Sequence, residues 1–402
     1  MTGVAEDVLL ARAAWSRLTE PGDAVGGALV GVLGPVEAWR LVLEATGGDG
    51  AGAVARAAAR ALPDSARSVP RLTAALERWR PRVPSVDAGR ELDRHRARGG
   101  DLLVPEDARW PSGLADLGPE APHALWVCGD TRTLVAAGRG VALIGARACT
   151  RYGEHVTAEL ASGLVTAGRV VVSGGAYGID AAAHRSALAT GGPTVAVLAG
   201  GVDRLYPAGN ARLLRATQEA GALVSEVPPG SVPSRQRFLQ RNRLIAALSG
   251  ATVVVEAAWR SGALSTATRA AALLRPVGAV PGPVTSAASA GCHRLLRDGA
   301  AVCVTDAPEV LELLADGEPA PEPSTAHAEV RSVTDGLEPA ARQVLDALPV
   351  RAWADVASLT RVAGVSARQA RGALGVLEVA GLADRHGDRW RRSRVVTGRR
   401  DG

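Results

Sequence analysis

The sequence predicts an α/β fold: a doubly wound, mostly parallel sheet with a small helical domain before it and a winged-helix domain after it. Three observations carry this. Between residues 141 and 304 apolar runs recur, with helix-length segments between them: VALIG at 141, VVVSG at 170, TVAVLAG at 194, ALVSE at 222, TVVVEA at 252, VGAVPG at 277 and AAVCV at 300. Near-continuous Val/Ala/Leu runs mark strands covered on both faces, and helical crossovers make their neighbours parallel. Residues 1–75 read as short Ala/Leu-rich helices broken by PGD, GPVE and TGGDG, a domain of the SAM or helix-hairpin kind. Beyond residue 335, LEPAARQVLDAL and DVASLTRVA are amphipathic, GVSARQARGALGVLEVAGL has the turn and second helix of a helix-turn-helix, and LADRHGDRWRR would form a hairpin wing.

From about 98 to 135 the chain runs DLLVPEDARWPSGLADLGPEAPHALWVCGD, whose prolines and tryptophans indicate an ordered extension packed on the sheet domain. The expected division is therefore a helical domain at 1–75, a core at 98–304, an acidic Pro-containing linker at 305–334, a winged helix at 335–395 and a basic tail at 396–402.

A chain of 402 residues, 47% hydrophobic and 22% charged, can bury a sizeable core. No apolar run is long enough to span a bilayer, and the N-terminus MTGVAEDVLLARAAW carries acids where a signal peptide carries positive charge, so a cytoplasmic protein without membrane insertion is expected. Cys128, Cys149, Cys292 and Cys303 form no C-x-x-C pair and have no His at zinc-site spacing, which points away from a disulfide framework or a metal. Every basic residue is arginine. The absence of lysine excludes a usual Walker A loop and Schiff-base catalysis.

The net charge of +5 is unevenly spread. Residues 141–304 hold 16 arginines against eight acids, residues 305–330 hold seven acids and no arginine, and residues 331–402 hold 13 arginines against eight acids. Two basic bodies joined by an acidic strap favour polyanionic partners.

Ligands of open α/β sheets bind beyond the carboxyl ends of the strands. After the first run, Gly145 and Arg147 lead into a helix, offering close backbone approach and a bidentate phosphate grip, in a spacing that is not G-x-G-x-x-G. After the second, Ser173-Gly174-Gly175 reads as a backbone floor for phosphate or sugar. Asp180 and His184 share a helix face there: they could transfer protons, but a cap with a hydrogen-bonded partner is the favoured reading, and no catalytic residue stands out. After the fifth, Ser261-Gly262 opens a helix as another anion-accepting turn, while Glu256 reads as structural, accepting backbone N–H bonds.

The single phenylalanine, Phe238, stands among Arg235, Arg237, Arg241 and Arg243, with Asn242 beside them. Leu239, Leu244, Ile245 and Leu248 would hold that helix on the sheet. Tyr152, Tyr177, Tyr206 and Phe238 all fall in or beside loops of the core. Two readings fit: aromatic platforms in a basic groove for single-stranded nucleic acid, or rings that fill gaps between elements.

VALIGARACTRYG, VVSGGAYGIDAAAHRSAL, TVAVLAGGVDRLYPAGN, LVSEVPPG, FLQRNRLIAALS, VVVEAAWRSGALSTA, AVPGPV and GCHRLLRDGA resemble, in this order, the motif series of the bacterial DNA-processing protein A family (DprA/Smf). The resemblance covers residues 98–304 and implies an extended Rossmann core with a non-enzymatic role and no cofactor. It implies a mediator that binds and protects incoming single-stranded DNA and loads the RecA recombinase on it during natural transformation and homologous recombination. It also implies a homodimer formed through the later part of the core. Carried over by motif, the DNA pocket would include Gly145, Arg147, Ser173, Gly174, Gly175, Phe238, Arg241, Asn242 and Arg243; Ser261 and Gly262 join it as the anion turn. Departures from the family pattern are Tyr177 where Arg is common, Leu239 where Pro often follows the Phe, and Trp110-Pro111 in place of Tyr-Pro.

Two alternatives belong to other classes. One is a nucleotide-processing enzyme on a lysine-decarboxylase-like Rossmann core, whose PGGxGTxxE motif is matched only by PAGNARL and SGALSTATRA, without the catalytic Glu. The other is a regulator acting through the winged helix, with Arg368, Gln369 and Arg371 offered to a groove.

Overall fold

The computed structural model describes residues 3–47, 65–314 and 337–393. Most of the expected acidic linker, and the whole of the expected tail at 396–402, lie outside the described residues. The chain divides into two compact units, Met1–Glu318 and Pro319–Gly402.

The first unit is built on a nine-stranded sheet of β1 (Gly100–Leu103), β2 (Leu125–Gly129), β3 (Val141–Gly145), β4 (Val171–Ser173), β5 (Thr194–Leu198), β6 (Ala222–Ser225), β7 (Ala251–Glu256), β8 (Val277–Ala279) and β9 (Val302–Cys303). Their order is β1-β2-β6-β5-β4-β3-β7-β8-β9. The seven apolar runs are the seven strands β3 to β9, and all of them pair in parallel. DLLV and ALWVC in the extension add two strands to those of the apolar runs: β2 runs antiparallel to β6, and β1 antiparallel to β2.

Alternate residues of each strand serve opposite layers, as the pleat requires. Ala142, Ile144, Val172 and Val254 pack under the helices Arg235–Leu248 and Ala263–Ala272. Val141, Leu143, Val171 and Val253 pack under Arg151–Thr166 and Ile179–Ala189. The short helix Ala307–Glu312, within the segment expected to be linker, joins this second layer by burying Ala307 and Val310.

The N-terminal helices close over their own core of Trp15, Leu18, Leu29, Val42, Leu72 and Trp79. They are also fastened to the sheet unit. Ala13 and Leu92 share a cluster with Trp126 and Leu223, Trp126 Nε1 donates to Ser16 Oγ at 3.1 Å, and Glu20 pairs with Arg237 at 3.0 Å.

In the second unit, helices Pro339–Ala347, Val356–Ala363 and Ala367–Val379 enclose Leu345, Leu359, Leu374 and Leu377 with Trp390. A three-stranded antiparallel sheet, β10 (Ala354–Asp355), β12 (Arg389–Arg392) and β11 (Ala383–His386), flanks them in that order. Gln369 closes a capping box with Ser366 at the start of the third helix, so its side chain is engaged there rather than offered to a groove.

Candidate nucleic-acid interface

The strand order reverses at β3, with β4, β5 and β6 on one side and β7, β8 and β9 on the other. Such a switch point leaves a crevice beyond the carboxyl ends of the strands. Here it is an open cavity of about 980 Å³. Gly145 at the end of β3 and Arg147 after it, Arg204 and Tyr206 after β5, Phe238, Arg241 and Asn242 on the helix after β6, and Ser261 and Gly262 after β7 all line it.

At its centre the Arg147 guanidinium carbon lies 5.1 Å from the Phe238 ring centroid, and that of Arg241 lies 5.9 Å from it. The Tyr206 ring sits 5.8 Å from Phe238 at 52° and is itself 53% exposed. Cations over an aromatic face are attracted by the ring quadrupole. The site therefore joins two rings to two guanidinium groups.

Helical geometry decides which neighbours of Phe238 share its face. Arg241 and Asn242, three and four residues on, do so. Asn242 Nδ2 donates to the Gly262 carbonyl at 3.3 Å, tying this helix to the turn after β7. Arg243, five residues on, does not: its side chain is 0% exposed and pairs with Glu226 at 2.5 Å. The expectation that Arg243 grips phosphate is thus corrected, because the helical repeat turns it away from the cavity. Leu239, by contrast, is exposed and lines the cavity instead of anchoring the helix, which Leu244, Ile245 and Leu248 do.

Ser173 and Gly174 are engaged within the protein, and the Gly175 carbonyl accepts Asn210 Nδ2 at 3.0 Å. Ser173 Oγ donates to the Leu143 carbonyl at 2.7 Å in the buried core. The Gly174 N–H donates to Asp180 Oδ2 at 3.2 Å, as the Ala176 N–H does at 3.4 Å. Arg241 Nη1 donates to the Gly174 carbonyl at 2.6 Å and also to that of Val197. A Cβ on Gly174 would stand 2.4 Å from Arg241 Nη1, so only glycine leaves room for this guanidinium. Burial lowers the Arg241 pKa to about 10, with Asp180 opposing that shift; the group stays cationic at neutral pH. Burial raises the Asp180 pKa, opposed by Arg241 and the two N–H bonds.

His184 hydrogen-bonds Thr194 Oγ1 through Nδ1 at 2.8 Å, which corrects the expected partnership with Asp180. Burial, reinforced by Arg241, holds its pKa down to about 3, so it is neutral and no proton-transfer pair exists. Glu256 is structural as read: its carboxylate accepts the Thr150 N–H at 2.9 Å and the Thr150 hydroxyl at 2.6 Å, joining the loops on either side of the switch point. Gly145 pairs with Glu256 at a register shift in β3, and a Cβ there would meet Ile179 at 2.5 Å. Of the tyrosines only Tyr206 reaches Phe238. Tyr152 donates to the Pro281 carbonyl at 2.5 Å, and Tyr177 packs on Gly209. Arg204, within TVAVLAGGVDRLYPAGN, and Arg235, of the cluster around Phe238, also line the cavity although neither was assigned to the site.

Residues 101–315 match the profile of the DNA recombination-mediator protein A family. A Mycobacterium tuberculosis chain named as a DNA processing protein DprA is 47% identical over 334 residues, covering 77% of this chain and 83% of that one. Protein Smf of Escherichia coli is 40% identical over 218 residues, covering 54% of this chain and 57% of its own. Among solved structures, DNA processing protein A from Streptococcus pneumoniae superposes with a TM-score of 0.58 at 28% identity, covering 77% of this chain and 98% of that chain. With the match spanning the sheet and every loop of its switch point, the chain belongs to the DNA recombination-mediator protein A family.

Proposed function

We propose that this chain binds single-stranded DNA in the switch-point cavity and hands it to a recombinase of the RecA kind, in homologous recombination and in natural transformation where the host takes up DNA. The observation that carries the reading is the Phe238 ring with Tyr206 beside it and Arg147 and Arg241 against it. An unpaired base has a free face to stack on a ring, and its phosphate is neutralised by the neighbouring guanidinium. A duplex hides both faces of every base.

The cavity favours binding over catalysis. Arg147, Arg204, Arg235 and Arg241 meet a single lining carboxylate, Asp180, already engaged by two backbone N–H groups. In this reading the cavity takes no cofactor. The second unit, three helices with an antiparallel hairpin, is read as a winged helix serving as an accessory contact for DNA or protein. A cytoplasmic homodimer built through the later part of the core completes the proposal, together with a helical domain at 1–75 and a core at 98–304.

Fluorescence anisotropy with single-stranded and duplex DNA of equal length tests it. Preference for the single strand, with affinity falling steeply as salt rises, is expected. Equal or higher affinity for a duplex of defined sequence would favour a regulator, and release of free base from nucleoside monophosphates would favour an enzyme.

A further inference from the structure

A second arginine–aromatic cluster stands beside the cavity, on residues of VVVEAAWRSGALSTA and GCHRLLRDGA that were given no role above. Trp259 lies in the turn between β7 and the helix Ala263–Ala272, and it is 49% exposed. Burying a large indole is the ordinary use of tryptophan, as Trp15, Trp79 and Trp126 show here. Trp259 instead presents its ring to solvent with two cations against it. The guanidinium carbons of Arg294 and Arg297 lie 5.1 and 5.9 Å from its centroid. Arg294 Nη1 also donates to the Trp259 carbonyl at 3.4 Å, which ties the turn to the helix Ala290–Arg297. Arg297 is 3.6 Å from Asp298, the one acid within segments 257–262 and 290–298, whereas Arg260, Arg294 and Arg297 are cationic.

This is the chemistry of the Phe238 site repeated: a partly exposed ring with guanidinium groups against it. The two are connected through the backbone, because Ser261 and Gly262, two and three residues after Trp259, line the cavity. We propose that Trp259, backed by Arg294 and Arg297, is a second base-stacking platform for a strand leaving the cavity over Ser261 and Gly262. The proposal rests on the single-strand reading of the cavity and extends the bound track toward β8 and its following helix.

The test uses the full chain with oligothymidylates of about four and about 20 nucleotides, near and beyond the span of a single compact site. Trp259→Ala should weaken binding of the long strand roughly fivefold or more, the loss of one stacked base, and leave the short strand unchanged. Trp259→Phe keeps a ring and should restore long-strand affinity. The part of the tryptophan emission present in the wild type and missing from Trp259→Phe should be quenched by the long strand.

Unchanged long-strand affinity in Trp259→Ala would overturn the proposal. So would a Trp259 signal that follows protein concentration and ignores oligonucleotide, which would mark a contact between copies of the chain. The cavity reading fails on a different probe, namely short-strand affinity that does not depend on Phe238.

Discussion

Arg147 and Phe238 meet with 5.1 Å between guanidinium carbon and ring centroid, bringing the turn after β3 against the helix after β6 at the point where the sheet reverses. Arg147 is exposed, so the contact leaves N–H donors free for a phosphate while the ring stays open to a base. Arg147→Ala should weaken single-strand binding and reduce the slope of log affinity against log salt by about one, the share of one phosphate contact. A salt titration of wild type and variant checks this, and an unchanged slope would remove Arg147 from the phosphate track.

Arg243 should behave in the opposite way, although it stands two residues from Arg241. Its pair with Glu226 is buried, and a Cβ on Gly22 would stand 3.4 Å from Arg243 Nε, so the pair packs the turn between the first N-terminal helices against the helix of Phe238. Arg243→Met would leave the Glu226 charge uncompensated and should cost about 3–5 kcal/mol in urea unfolding. Adding Glu226→Met should recover much of that loss. Under conditions where Arg243→Met stays folded, its affinity for single-stranded DNA should match the wild type.

Two histidines predict a pH dependence of stability. Burial holds both His123 and His184 down to about 3, the first helped by Arg12 and Arg243 and the second by Arg241. The unfolded chain protonates them near the ordinary value of 6.5 while the folded one does not, so stability falls as pH drops through 6.5 toward 3. Each histidine contributes roughly 2 kcal/mol of loss by about pH 5. The buried carboxylates with raised pKa, Asp180, Glu91 and Glu226, act in the opposite direction. His184→Gln isolates one histidine: its unfolding free energy should change less between neutral pH and about pH 5 than that of the wild type.

Thr150 accepts the Gly153 N–H at 3.1 Å as the cap of its helix and donates its hydroxyl to Glu256. Thr150→Ala should cost about 1–2 kcal/mol of stability. Because the same contacts fix the loop that carries Arg147, single-strand affinity should fall as well. Equilibrium unfolding and anisotropy on the same preparation measure both effects.

Much of this was legible in the sequence. The seven strands could be read because each is apolar on both faces, and the rim loops because they follow those strands. β1 and β2 escaped because DLLV and ALWVC are short and set among prolines and tryptophans. The burial of Arg243 is legible too: a helical repeat places residues three and four after Phe238 on its face and the fifth well away from it. The internal bonds of Ser173 and Gly174 have no such signal in the sequence. Glycines that admit a ligand and glycines that admit a buried Arg241 look alike until the partner is seen. The Glu226 to Arg243 and Glu20 to Arg237 pairs join distant segments, which periodicity cannot reveal.

The central claim is that an unpaired base stacks on Phe238. Anisotropy of a labelled oligothymidylate with wild type and Phe238→Ala tests it most directly, with urea unfolding of both as the control for folding. The expected result is a folded variant whose single-strand affinity is weaker by about 1–3 kcal/mol. A folded variant that binds the single strand as tightly as the wild type would contradict it.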